Sequence, residues 1–148
     1  MRRIAVATLI GGAIVVAGAA PASAHICAPA AEIPVGPTAA VIVGVTVENA
    51  TVPDVEVPIP SGLKVAAVDP AAGWRVRVRR TSVRWRGGPI EPYGCQYFTM
   101  HVSAAARGVY PLTIVLRDAR GATLGTINGP PTQPVVYAGM PAPKPAGT

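Results

Sequence analysis

Apolar and polar positions alternate in short runs along this chain, and no stretch carries the 3.6-residue apolar spacing of an amphipathic helix. Residues 74–79 alternate strictly, which predicts a strand with Trp74, Val76 and Val78 on one face and Arg75, Arg77 and Arg79 on the other. Residues 83–86 repeat the alternation after Arg80-Thr81-Ser82, a hairpin partner that Gly87-Gly88-Pro89 is expected to end. Residues 96–104 put Phe98, Met100 and Val102 on one face, with Cys95, Tyr97, Thr99 and His101 on the other. The β-branched run 39–48, the segments 63–68, 110–117, 123–127 and 135–137, and a proline-bounded edge strand around Val55-Glu56-Val57 complete the set. Eight or nine short strands separated by turn residues predict an all-β, immunoglobulin-like β-sandwich, with a small β-barrel as the alternative.

The two ends of the chain do not fit that pattern. Arg2 and Arg3, an uncharged apolar run over residues 4–20 and the small-x-small triplet Ala22-Ser23-Ala24 have the order of a secretory signal peptide. Residues 1–24 are therefore expected to be removed, leaving a sandwich domain over residues 25–138 in the cell envelope or outside the cell. An uncleaved anchor is the alternative. Residues 139–148 are proline-rich and read as a disordered tail.

Export places the two cysteines, Cys27 and Cys95, in an oxidising compartment, where they read as one disulfide; a thiolate metal ligand at Cys27 is the other reading. Thirteen basic side chains less Arg2 and Arg3 leave 11 against 7 acidic ones, a net of +4. That mild excess fits weak association with an anionic envelope surface and does not mark a nucleic-acid binder. Arg75, Arg77, Arg79, Arg84 and Arg86 form a basic stripe across two strands, with no aromatic residue interleaved to stack on bases. A solvated outer face that discourages edge aggregation is the preferred reading of it. No nucleophile elbow, catalytic triad or phosphate loop is present, so no catalytic residue is assigned.

Cleavage after Ala24 would create a histidine amino terminus. The α-amine and imidazole of His25 both lose protons near neutral pH and can close one chelate ring, a donor pair that suits copper(II). Glu32 is the sole carboxylate between His25 and Glu48, and reaches the site if the chain turns at Pro29 or Pro34.

The chain also resembles the YcnI-like extracytoplasmic domains. The resemblance is carried by His25 with Glu32-Ile33-Pro34-Val35-Gly36, by residues 55–62, by Pro70-Ala71-Ala72-Gly73-Trp74 and by residues 83–88. It covers roughly residues 25–115. The resemblance implies a β-sandwich holding copper(II) through the amine and imidazole of its first histidine, a single-histidine brace, with a glutamate and a tryptophan near the metal. By position these are His25 and Glu32. No tryptophan follows Trp85, and Tyr137 is the aromatic residue in the corresponding C-terminal part.

The expected function is storage, buffering or transfer of copper, with the ion itself and another copper-handling envelope protein as partners. A copper oxygenase using His101 as second imidazole is disfavoured by the spacing of His101 from Cys95. The alternative function is a metal-free structural or adhesion module.

Overall fold

The computed structural model describes residues 24–28, 30–129 and 133–144, with the side chains of residues 24–26 outside that description. The expected signal peptide up to residue 23 and the last four residues of the expected tail also lie outside it.

The alternation of the sequence becomes twelve strands and, among the described residues, no helix: β1 (Ala24–Ile26), β2 (Ala31–Ile33), β3 (Ala39–Val47), β4 (Val52–Pro58), β5 (Leu63–Val68), β6 (Trp74–Val78), β7 (Ser82–Ile90), β8 (Cys95–Ala104), β9 (Gly108–Pro111), β10 (Ile114–Arg117), β11 (Thr123–Ile127) and β12 (Val135–Ala138). They form a four-stranded sheet, β1-β3-β8-β5, a five-stranded sheet, β11-β10-β4-β7-β6, and a small third sheet, β2-β12-β9. This is an all-β, immunoglobulin-like sandwich.

Inward positions of β3, β4, β7 and β8 make the core: Val41, Val43, Val45 and Val47 face Val55, Val57, Val83 and Trp85, with Phe98, Met100 and Val102 between. Phe98 is its centre. The Trp85 ring stacks on it at 4.6 Å between centroids, and Trp74 meets it edge-on at 5.1 Å. Burial of these three rings removes several hundred square ångströms of apolar surface from water.

Four elements differ from the sequence expectation. The proline-bounded strand is central, since β4 lies between β10 and β7; Pro53 sits at a register shift and Pro58 at the strand end, where no ladder donor is lost in mid-strand. The run 110–117 divides into β9 and β10, which belong to different sheets. Strand β7 continues through Gly87-Gly88-Pro89 to Ile90, because both glycines have positive φ and lie against β6: a Cβ on Gly88 would stand 2.1 Å from the Trp74 ring. Val76 and Val78, expected to share one face with Trp74, do not share its burial: they are 41% and 49% exposed because β6 is the edge of its sheet.

Candidate functional site

The N-terminal segment is positioned by pairing with β3. Ala24 faces Val47, His25 faces Thr46 and Ile26 faces Val45, in antiparallel register. Cys27 N then donates to Gly44 O at 3.0 Å. Its side chain makes the disulfide to Cys95, the bond expected from the sequence, with 6.4 Å between the two Cα atoms. The cysteines are not on neighbouring strands. Strand β3 runs between them, Gly44 lies under the bridge, and Cys95 faces Thr46 on its other side. Two residues after His25, the segment is thus fastened to β8. A thiolate role for Cys27 is thereby removed.

Beyond Cys27 the chain keeps running parallel to β8. Val35 bridges Ala104, and Gly36 N donates to Ala104 O at 3.0 Å. His25 therefore lies level with Cys95 at one end of the sandwich, and Glu32 lies close to the level of His101. Six residues of strand separate those levels, roughly 20 Å. Glu32 sits instead on β2, opposite Tyr137 of β12, and its Oε1 accepts from Ala142 N at 2.7 Å. The structure thus brings Glu32 and Tyr137 together and places both away from His25.

The carboxylate that the register brings to His25 is Glu48. It follows Val47, the last residue of β3 and the partner of Ala24, and stands two positions along the chain from Thr46, the partner of His25. Along the chain Glu32 is the nearer carboxylate. Tyr93 N donates to Val47 O, and Glu91 accepts from Thr51 Oγ1 at 3.2 Å, so a second carboxylate belongs to the same end of the sandwich. Among the described residues no three His, Cys, Asp or Glu side chains converge; the side chain of His25 lies outside them.

His101 points from the outer face of β8, and its Nε2 is 2.8 Å from Asp69 Oδ1. It lies at the level of Glu32, six residues of β8 from the level of His25, too far for a two-histidine brace. Met100 is buried in the core.

The arginine stripe lies on the outer face of the five-stranded sheet. In register, Arg75 faces Arg86 and Arg77 faces Arg84; on the far side of β7, Arg86 faces Asp54 and Arg84 faces Glu56. Asp54, only 1% exposed, accepts from Arg84 Nε at 2.8 Å and Nη2 at 2.5 Å, and Arg86 Nε lies 3.2 Å away. The hydrogen bond from Arg84 to Asp54 raises the pKa of that guanidinium. Glu56 accepts from Arg117 Nη2 at 2.8 Å, a bond that holds its carboxyl below the ordinary glutamate value against the opposing effect of burial.

No family model and no curated protein matches the chain. Among solved structures it is similar to a non-cellulosomal cohesin from the archaeon Archaeoglobus fulgidus, with 17% identity over 78% of this chain and 90% of that one and a TM-score of 0.46. It is also similar to WR4, a member of the MSP family of C. elegans, at 12% identity over 80% and 98% of the chains and a TM-score of 0.39. A PapD-like domain of human CEP192 aligns at 15% identity over 93% and 96%, with a TM-score of 0.36. These are likenesses of fold alone.

Proposed function

We propose that the chain, cut after Ala24, is an extracytoplasmic, non-enzymatic copper(II)-binding protein. The amine and imidazole of His25 form the chelate, and Glu48, in place of Glu32, supplies the nearby carboxylate. The observation that carries this reading is the β1–β3 register, which sets His25 against Thr46, two positions along the chain from Glu48. The disulfide at Cys27 supports it further. A chain end fastened two residues away loses less conformational freedom when it closes on an ion, and preorganised donors bind more tightly. Before cleavage the His25 nitrogen is an amide, so the site exists only after export.

Titration calorimetry of the chain beginning at His25 tests the reading. One copper(II) ion is expected to bind, with affinity lost when one residue is added before His25, lowered at least tenfold by Glu48→Gln and unchanged by Glu32→Gln. Equal affinity in the extended chain would refute the chelate.

A metal-free structural or adhesion module has one observation in its favour, the row Arg75, Arg77 and Arg79, which makes no ion pair among the described residues; it concerns the other sheet.

A further inference from the structure

We infer that the outer face of the five-stranded sheet binds an extended acidic polysaccharide along the edge strand β6. The strands of this face, with Arg79 just past β6, carry six arginines, Arg75, Arg77, Arg79, Arg84, Arg86 and Arg117, against two carboxylates, Asp54 and Glu56. The difference is +4, equal to the net charge of the whole chain from His25 onward.

Both carboxylates are taken. Asp54 holds Arg84 and Arg86, and Glu56 holds Arg117. Arg75, Arg77 and Arg79 make no ion pair or side-chain hydrogen bond among the described residues, and all three are exposed. Two of them also face like charges directly, Arg75 against Arg86 and Arg77 against Arg84, an unfavourable juxtaposition that Asp54 offsets only on the β7 side. Arg75 and Arg77 of β6, Arg84 and Arg86 of β7, and Arg79, together with Asp54, line an open concavity of about 800 Å³.

The shape of the charge row selects a chain-like ligand. Alternate residues of a strand stand roughly 7 Å apart, so the three free guanidiniums mark a line roughly 13 Å long, more than one small anion spans. Each guanidinium can grip a sulfate or carboxylate through two parallel hydrogen bonds. Because β6 ends its sheet, its outward backbone N–H and C=O groups have no ladder partner among the described residues and are available to sugar hydroxyls. Nucleic acid fits less well. Trp85 is buried and Trp74 packs on Phe98 on the opposite side of the sheet, which leaves no aromatic platform for bases beside the arginines.

The site lies on the sheet opposite the one that holds β1, so its test is independent of copper. Biolayer interferometry of the full chain from His25, at physiological ionic strength, compares dextran sulfate, neutral dextran and poly(dT) of similar length. Saturable binding to dextran sulfate alone is expected. The triple variant Arg75→Gln/Arg77→Gln/Arg79→Gln should weaken it at least tenfold, and Arg77→Gln alone about threefold. A control triple with the same loss of charge, Lys64→Gln/Arg107→Gln/Lys144→Gln, should weaken it less than threefold. All substituted side chains are exposed, and a thermal melt verifies each fold. Equal losses in the two triples, absence of binding to dextran sulfate, or binding to poly(dT) that is tighter and lost with the same arginines would overturn the assignment.

Discussion

Gly44 lies directly beneath Cys27: a Cβ built on Gly44 would stand 3.0 Å from Cys27 Sγ and 3.0 Å from the Ala28 nitrogen. The disulfide crosses β3 where that strand has no side chain. Gly44→Ala is therefore expected to force the N-terminal segment away from the sheet, at a cost of about 1–3 kcal/mol. Urea unfolding of the oxidised protein measures it, and an unchanged midpoint would show that the segment yields freely.

The bridge closes a loop with a sequence separation of 68 residues. Loss of the constraint on the unfolded chain in Cys27→Ser/Cys95→Ser is expected to cost on the order of 4 kcal/mol. The same pair of substitutions releases the N-terminal segment, so hydrogen exchange at the amides of Ile26 and Cys27 should accelerate more than in β8. Uniform acceleration would mean that the disulfide stabilises the domain without anchoring its first strand.

Asp54 is the pivot of the charged face. Its near-complete burial is tolerated because two guanidiniums satisfy both of its oxygens. Asp54→Asn leaves Arg84, 30% exposed, without its bidentate acceptor, and a loss of about 2–4 kcal/mol is expected in equilibrium unfolding. The reverse truncation, Arg86→Gln, removes only the longer contact of a side chain that is 60% exposed and should cost under about 1 kcal/mol.

The depressed pKa of Glu56 makes stability depend on pH. Its unfolded value is the ordinary 4.5, and the Arg117 hydrogen bond lowers the folded value. The unfolded chain then takes up the proton first as pH falls. The contribution is fully present above pH 4.5 and is lost as pH drops through the folded pKa. Glu56→Gln should flatten the fall in melting temperature below that pH while leaving its shape near neutrality unchanged. An identical acid slope in the variant would assign the acid sensitivity elsewhere.

Much of the sandwich was legible in residue order because period-two alternation and turn residues act locally. The strict alternation at residues 74–79 and 83–86 located β6 and β7, and the Phe98-Met100-Val102 face located the core side of β8. Strands β1 and β2 are three residues each, too short to show a period. The centrality of β4 was hidden for a different reason: its flanking prolines resemble an edge signal, and only the pairing with both β7 and β10 decides the matter.

The site was legible as chemistry but not as geometry. His25 could be singled out from a cleavage pattern and the donor atoms it creates. Its companion depended on register, which is a long-range property. One local signal pointed to it. Residues 24 and 47 are mirrored about Pro34-Val35-Gly36-Pro37, a turn cluster whose Gly36 has φ of 95°. Taking that cluster as the reversal point sets Glu48 beside the amino terminus. Glu32, close in sequence, is carried off by the extended chain.

The central claim is a copper(II) site made by His25 and closed by Glu48. Electron paramagnetic resonance of the copper-loaded chain beginning at His25 tests it most directly. Nitrogen couplings from one imidazole and one amine are expected, with a spectrum altered by Glu48→Gln and unaltered by Glu32→Gln. A spectrum with two imidazoles, or one identical to that of the chain extended by a residue before His25, would contradict it.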